Sequence, residues 1–431
     1  MSGRLQLAGR GLQNEWINGT PTQSHFLFTL KKHTKFAFDT LEIPVTGADY
    51  GKESICFIPL DAGDLITGMT LRYNLTFTSR TYRDGLRAAN VSRYPAVHLI
   101  DHVDLYIGGM QIQRLTSQWL ELYNKITYER SLYEANKESA NFVRGEIILG
   151  YPDEPVPPVF IDLPFYFHDN LKSSLLTCKL QKQNCYIKIK FKPLANILTN
   201  NFSSLSSALG LGFDSPRNEM VGLMNENIKM GSVSILTKYA YLNREEVNYL
   251  KNRPIEQVIT QLQLKRFDVS SGETRRVQLN FKHPVKTLYF FIGSKNRITK
   301  DINYMDNIKF TSAKLLFNNQ LVFDDGPEKL IYYNSKTNTY SGMYIGVAGN
   351  NSTINEKMEV GSYSFAMYPL KKEPTGHVNF SRIINQEFEI KIPETEDMGG
   401  TKYIDQINEC QIYAESYNIL HYSSGLVGLK F

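Results

Sequence analysis

The sequence predicts an all-β protein, either a sandwich or a barrel, divided into two similar halves. Polar and apolar residues alternate with a period of two in many short segments, and Tyr (26) and Phe (24) are abundant. This alternation is typical of half-buried strands, and aromatic residues favour pleated surfaces. A chain of 431 residues suits two domains of roughly 200 residues better than one core.

Strand-like periodicity extends along the whole chain, with turn residues between the segments. In HLIDHVDLYI, apolar residues from Leu99 to Ile107 alternate with polar residues that begin at His98. We expect a strand with one buried side and one polar side. The same alternation is found in SICFIPL, MTLRYNLTF, CYIKIKFKPL, SVSILTKYAYL, ITQLQLKRFDV, RRVQLNFKHPVKTLYFFIG, IKFTSAKLLFNNQLVF, SYSFAMYPL and QEFEIKI. Many short strands favour a sandwich or barrel over β-α-β units.

Helical patterns are few and short. We expect a helix over residues 117–126 with Ser117 as its N-cap residue, and another over residues 327–335 that begins with proline. A charged helical segment over residues 244–252 is closed by Pro254. It separates two strand-rich halves, and we interpret it as the interdomain linker.

The stretch from residue 196 to residue 231 shows little periodicity and is rich in Ser, Leu, Asn and Gly. We expect a long surface excursion between strands. Its apolar residues would be costly to leave in water, so they suggest burial against a partner.

A pattern of strand, hairpin, strand and helix occurs twice. The first hairpin turn is Gly108-Gly109 and the second is Asn318-Asn319, and both dipeptides tolerate the positive φ angles of a tight turn. The offset of 210 is kept by the residues after each turn, namely Leu120, Tyr123 and Asn124 in the first copy and Leu330, Tyr333 and Asn334 in the second. The repeat predicts a duplicated domain.

Charge and cysteine content exclude few functions. The net charge of +5 comes without a basic run, which argues against a dedicated nucleic-acid binder.

We expect Cys56, Cys178, Cys185 and Cys410 to be buried, reduced thiols, with a disulfide between Cys178 and Cys185 as the alternative. The first residues lack the apolar core of a signal peptide, and we expect no membrane span.

Sequons lie at Asn74, Asn351 and Asn379 and are candidate glycosylation sites. Without a secretory signal we expect them to be chance matches.

We find no motif of a known catalytic, cofactor or metal site, and we expect the protein not to be an enzyme. His98 and His102 have a metal-like spacing, but on a strand they would lie about 13 Å apart, too far for one ion.

The stretch FTLKKHTKFAFD, residues 28–39, places lysines and His33 among phenylalanines. Such interleaving could bind a single-stranded nucleic acid by stacking. The alternative, which we favour, is a strand that leaves the core, exposes its charges and returns to it with Phe36 and Phe38.

The same region resembles the opening of the major capsid proteins of nucleocytoplasmic large DNA viruses, of the iridovirus and phycodnavirus type. The matching residues are Gln13, Glu15, Gly19, Pro21, Phe26, Lys32, His33, Thr34 and Phe36. Further matches follow in order: GDLIT (63–67), VDLYIGGMQI with Gly108 and Gly109, Trp119, LPFYF (163–167), EQVITQLQ (256–263), LNFKHPVKTL with His283 and Pro284, YSFAMYPLKKEPTGHVNFSRI with Phe380, Ser381 and Arg382, and the terminal YAESYNILHYSSGLVGL. The loops near residue 84 and after residue 296 depart from the family pattern, as does the bulky C-terminal pair Lys430-Phe431.

The resemblance implies two consecutive eight-stranded jelly rolls with short helices in loops. We expect an N-terminal arm (1–24), a first jelly roll (25–243), a linker (244–254) and a second jelly roll (255–431). It also implies homotrimeric, pseudo-hexagonal capsomers in an icosahedral virion, assembled in the host cytoplasm. The expected partners are the chain itself, neighbouring capsomers, minor capsid proteins and an inner viral membrane reached by the arm, with no specific nucleic acid and no cofactor. The alternatives are a minor or penton-associated jelly-roll capsid protein and a carbohydrate-binding β-sandwich.

Overall fold

The computed structural model describes residues 20, 33–78, 95–127, 158–168, 170–194, 217–294, 310–326, 330, 360–393 and 408–431. The chain divides into two units, Met1–Phe36 and Ala37–Phe431. Almost all described residues belong to the second unit.

Eight strands, which we call roll 1, form the first half of this unit. In chain order its elements are β1 (Phe36–Pro44), β2 (Glu53–Ile58), β3 (Leu65–Phe77), α1 (Pro95–Leu99), β4 (Ile100–Ile107), β5 (Met110–Thr116), α2 (Ser117–Thr127), β6 (Val159–Asp162), β7 (Cys185–Phe191), α3 (Arg217–Asn227) and β8 (Ile228–Leu242). Two sheets result, with strand orders β1-β8-β3-β6 and β2-β7-β4-β5.

The strands after helix α4 (Arg244–Lys251) form roll 2. They are β9 (Ile255–Val269), β10 (Thr274–Gln278), β11 (Pro284–Ser294), β12 (Ser312–Phe317), β13 (Gln320–Asp325), β14 (Gly361–Ser364), β15 (Val378–Asn379), β16 (Gln386–Lys391), β17 (Asn408–Ser423) and β18 (Leu426–Leu429). One sheet has the order β10-β16-β12-β13. In the other, β17 pairs with β9, β11 and β18, and β11 also pairs with β14 and β15.

The two rolls share one topology. The orders β1-β8-β3-β6 and β2-β7-β4-β5 are repeated as β9-β17-β11-β14 and β10-β16-β12-β13. Two facing antiparallel sheets of this connectivity are jelly rolls, which confirms the predicted all-β double jelly-roll fold. Strands β15 and β18 are additions in roll 2, and helix α4 forms where the sequence predicts the linker.

The repeat at offset 210 is confirmed by backbone geometry. Both turns adopt positive φ angles, 58° and 81° at Gly108 and Gly109 and 49° and 64° at Asn318 and Asn319. The bulges also match, because the register of β4 with β5 shifts after Leu105 and that of β12 with β13 shifts after Leu315. A two-residue turn with positive φ angles matches the right-handed twist of the hairpin strands. The same turn and the same bulge therefore recur in both rolls.

Gly109→Ala is expected to lower the free energy of unfolding by about 1–2 kcal/mol, because an L-residue is strained at positive φ. An added Cβ there would have no other atom within 4 Å, so the backbone alone sets the cost. Chemical denaturation of the wild type and of Gly109→Ala measures the difference in their free energies of unfolding. Gly68→Ala is the matched control, since its Cβ is also uncontacted and its φ is not positive. Equal effects of the two substitutions would contradict the turn geometry.

Several local predictions are wrong. His98 lies on α1 rather than on a strand, and it is buried with Nε2 at 3.4 Å from Oε2 of Glu121. A register shift after Ile100 also disturbs the predicted alternation. The N-cap of α2 is Thr116, whose hydroxyl accepts from the backbone N–H of Trp119 at 3.3 Å.

The prediction for residues 28–39 is also wrong where the structure describes them. Phe36 and Phe38 are exposed, so β1 does not return apolar side chains to the core there. The predicted excursion ends early, because α3 and the start of β8 occupy residues 217–231. Residues 195–216 and all of the predicted helix 327–335 except Leu330 lie outside the described residues.

All four cysteines are buried and free, which confirms reduced thiols and excludes the alternative disulfide. Burial raises the pKa of the Cys56 and Cys178 thiols to about 11 and that of Cys185 to about 12.

Candidate functional site: the junction between the two rolls

The central strands β11 and β17 of the sheet β9-β17-β11-β14 are buried on both faces. Along β11, Leu288, Phe290 and Ile292 belong to the core inside roll 2. The alternate residues Tyr289 and Phe291 belong to a second core, which is otherwise built mainly from roll 1. Because successive side chains of a strand point to opposite faces, roll 1 packs on the outer face of this sheet.

Aromatic side chains form the centre of the junction. Trp119 of α2 has its ring centroid 5.7 Å from Tyr289 and 5.4 Å from Tyr413. The hydroxyl groups of Thr116 and Tyr413 share a hydrogen bond of 2.7 Å. Burial raises the pKa of Tyr413 to about 12, so this hydroxyl keeps its proton at neutral pH. Thr116 therefore both caps α2 and fastens it to roll 2.

Two glutamines of β9 satisfy backbone groups of roll 1. The side-chain NH₂ of Gln257 donates to the carbonyl of Ser174 at 2.9 Å, and that of Gln261 donates to the carbonyl of Ile112 at 2.7 Å. Gln257 also accepts from the hydroxyl of Tyr422 at 3.2 Å. Buried backbone carbonyls without a partner are costly, so these amides fix the alignment of the rolls.

Lys179 of roll 1 holds the end of the linker helix. Its ammonium group donates to the carbonyls of Leu250 (2.7 Å) and Arg253. Burial lowers the pKa of Lys179. A cation at the C-terminus of a helix interacts favourably with the helix dipole, so this contact stabilises the packing of α4 against roll 1.

A buried ion pair lies within the roll 2 sheet β9-β17-β11-β14. The ammonium of Lys286 on β11 is 2.9 Å from a carboxylate oxygen of Glu415 on β17, and these side chains are 2% and 12% exposed. The register between these strands shifts between Val285 and Thr287, at the position of Lys286. The pair is a structural element that the sequence did not indicate.

The predicted signature residues fall into four groups, of which the first three are outside the described residues, at the start of β1, and at the hairpin and junction of roll 1. Gly19, Pro21 and Lys32 lie outside the described residues. His33 and Thr34 precede β1, and the His33 ring lies 5.7 Å from that of Phe36. Gly108 and Gly109 form the hairpin turn, and Trp119 is at the centre of the junction.

Two signature motifs that are distant in sequence meet in roll 2. His283, at a φ of 64°, donates its backbone N–H to the hydroxyl of Ser381 at 2.8 Å. Its carbonyl accepts from the backbone N–H of Phe380 at 3.1 Å, just before Pro284 starts β11. Phe380 is buried in the roll 2 core, whereas Arg382 is exposed. These contacts hold the start of β11, which is a structural role.

The sequons stay untested predictions. Asn74 is half-buried and accepts a hydrogen bond from the hydroxyl of Ser232 at 3.2 Å. Asn379 is exposed, and its side chain accepts from the backbone N–H of Ser381 at 3.1 Å. Asn351 lies outside the described residues.

Within the part of the chain that the structure describes, no three His, Cys, Asp or Glu side chains are grouped to hold a metal ion. Among the same residues, no helix is long and apolar enough to cross a membrane.

Comparison with known proteins agrees with this architecture. Residues 24–243 match the family model for the major capsid protein N-terminus. Residues 246–428 match the model for the large eukaryotic DNA virus major capsid protein. The chain belongs to the major capsid protein family of large eukaryotic DNA viruses. It is therefore a structural capsid protein.

Similar proteins cover the whole chain. The major capsid protein of Pyramimonas orientalis virus is 24% identical over 442 residues, with 100% of this chain and 99% of that protein covered. The major capsid protein of Paramecium bursaria Chlorella virus 1 is 23% identical, with both chains covered completely. A quasi-atomic model of the PBCV-1 capsid gives a TM-score of 0.69 at 20% identity over 95% of this chain and 100% of that one. Likeness at this identity shows the double jelly-roll fold.

Proposed function

We propose that the chain forms a homotrimeric, pseudo-hexagonal capsomer that tiles the icosahedral shell of a large DNA virus. The observation that carries this proposal is the junction within the chain. Roll 1 packs its β5 and α2 side on the outer face of a roll 2 sheet. Since the rolls share one topology, the same packing can recur between chains.

Two surfaces would meet if the junction between the rolls were repeated between chains. In roll 2, strand β13 is equivalent to β5. In roll 1, the sheet β1-β8-β3-β6 is equivalent to the one buried at the junction. Repeating the junction places roll 2 of one chain on the outer face of that sheet in the next chain. Three chains then give six alternating rolls, and closure leaves no unmatched surface.

The open sheet of roll 1 carries charged and aromatic side chains on its outer surface, including the exposed Phe36 and Phe38. Glu42 forms an ion pair with Arg72 and accepts from the hydroxyl of Ser234 at 2.7 Å. Lys238 lies 4.9 Å above the ring of Phe38. The equivalent face of roll 2 carries Tyr289, Phe291 and Tyr413 in the junction core, so the contact between chains is expected to be more polar than the contact within one chain. Such a surface keeps a subunit soluble before it meets its partners.

Light scattering on the purified protein tests the trimer. A native mass of about 148 kDa, three times the 49.4 kDa chain, is expected. A mass that stays at 49.4 kDa across the accessible concentration range would contradict the proposal.

We also propose partners for the N-terminal arm, a compartment for assembly and boundaries for the domains. We assign the arm (1–24) to contacts with minor capsid proteins and an inner viral membrane, and we place assembly in the host cytoplasm. The rolls span residues 25–243 and 255–431, with the linker at 244–254. We assign no catalytic or sequence-specific nucleic-acid function. Vesicle flotation with and without the arm, and DNA binding at two salt concentrations, test these assignments.

A further inference from the structure

The outer face of the roll 1 sheet β2-β7-β4-β5, here called face 1, carries a row of aromatic side chains. Phe57 pairs across strands with Tyr186, which pairs with Tyr106. The Phe57 and Tyr186 ring centroids are 5.5 Å apart, and the Tyr186 and Tyr106 rings stack at 5.0 Å. Phe57 is 60% exposed. Tyr186 and Tyr106 are half-buried, and a partly exposed aromatic row on a sheet is typical of a protein interface.

The equivalent face of roll 2, on sheet β10-β16-β12-β13, is here called face 2. Its corresponding row contains Gln278, Glu387, Leu316 and Leu321 in register, so it is aliphatic on β12 and β13. Leu321 is 58% exposed. Both apolar rows lie next to the hairpin turns of their rolls, so they occupy the same end of each face.

The next row on each face carries charges that alternate in sign from strand to strand. On face 1 it contains Ile55, Lys188, Asp104 and Arg114 in register, and Asp104 is buried and ion-paired with Arg114, which leaves Lys188 and Arg114 as its solvent-accessible charges. On face 2 it contains Arg276, Glu389, Lys314 and Asp324 in register. Equivalent positions of the two rolls therefore carry opposite signs. The pairs are Lys188 with Glu389, Asp104 with Lys314, and Arg114 with Asp324.

We propose that face 1 of one capsomer docks on face 2 of a second copy of this chain in a neighbouring capsomer. The proposal rests on the trimeric capsomer described above. Turning one face onto the other about an axis parallel to the strands brings the two apolar rows together. The apolar rows supply affinity, and the charged rows select the register.

Charge complementarity restricts this register to a shift by one strand. With strands directly opposed, like charges meet, for example Lys188 and Lys314. A shift by one strand in either direction brings opposite charges together. The shift that also sets Tyr186 opposite Leu321 and Tyr106 opposite Leu316 places Lys188 opposite Asp324 and Arg114 opposite Glu389. The like-charge contacts therefore disfavour the unshifted arrangement.

The geometry of a six-lobed ring supports the pairing of unlike faces. In a trimer the rolls alternate around the ring, so the lobe opposite each roll 1 is a roll 2. Neighbouring capsomers related by a translation therefore always bring roll 1 against roll 2. Opposite charges at equivalent positions suit that contact.

Sedimentation velocity of the purified trimer at increasing concentration tests the proposal. The wild type is expected to form species larger than the trimer. Lys188→Glu is expected to weaken this association about tenfold, since it sets like charges opposite each other. Adding Asp324→Lys to the same chain restores the opposite charges and is expected to restore association. Lys172→Glu is the matched control, because Lys172 is an exposed partner of Glu373 outside both faces.

Three results would overturn the proposal. One is a wild-type trimer that does not associate at any soluble concentration, and another is a Lys188→Glu effect no larger than that of Lys172→Glu. The third is failure of Asp324→Lys to rescue, which would mean that each face meets its own kind or an unrelated surface. A trimer mass at low concentration in every variant keeps these outcomes separate from a failure of the capsomer itself.

Discussion

Trp119→Ala is expected to lower the free energy of unfolding by about 3–5 kcal/mol, the range for truncating a buried aromatic side chain. Trp119 is only 5% exposed, and it contacts two tyrosines of roll 2 from the first turn of α2. The substitution therefore removes the centre of the contact between the rolls as well as local packing. Urea denaturation at one fixed protein concentration measures the change, because assembly makes stability depend on concentration.

Tyr249→Ala provides the matched control for Trp119→Ala. Tyr249 is 56% exposed, and its main contact is Arg253, 4.3 Å above the ring. Its truncation should cost less than about 1 kcal/mol. Equal effects at the two positions would show that Trp119 does not hold the rolls together.

Lys286→Met is expected to lower the free energy of unfolding by about 3–5 kcal/mol, because it leaves the carboxylate of Glu415 buried without its counter-charge. Replacing both partners, with Lys286→Met and Glu415→Leu together, removes both charges from the buried site. The double variant should therefore be more stable than Lys286→Met alone. Denaturation of the two single variants and the double variant measures this coupling.

Lys314→Met is the control for the buried pair. Lys314 makes an ion pair with Asp324 at 3.1 Å, but the two side chains are 29% and 44% exposed. Surface pairs contribute about 1 kcal/mol or less. If Lys286→Met cost no more than Lys314→Met, the pair of Lys286 and Glu415 would not be a structural element of the sheet.

Features set by local sequence could be predicted. The hairpin at Gly108 and Gly109 and its copy at Asn318 and Asn319 follow from residues that tolerate positive φ. The linker helix α4 follows from a charged helical segment closed by proline. The double jelly roll followed from motifs of a known family, because alternation alone does not distinguish a sandwich from a barrel.

Features set by tertiary packing could not be predicted. His98 reads as part of a strand, yet the chain turns into α1 there, and the side chain is buried near Glu121. The pairing of Lys286 with Glu415 depends on a register shift that no local pattern announces. One signal was available for the junction, since KTLYFFIG is apolar at successive positions and so indicates a strand buried on both faces.

A reconstruction of the purified protein by electron cryo-microscopy would show directly how the rolls meet between chains. We expect a three-fold particle with six lobes, in which roll 2 of each chain covers the outer face of the sheet β1-β8-β3-β6 in the next chain. A particle of another symmetry, or a trimer in which that face is open to solvent, would contradict it.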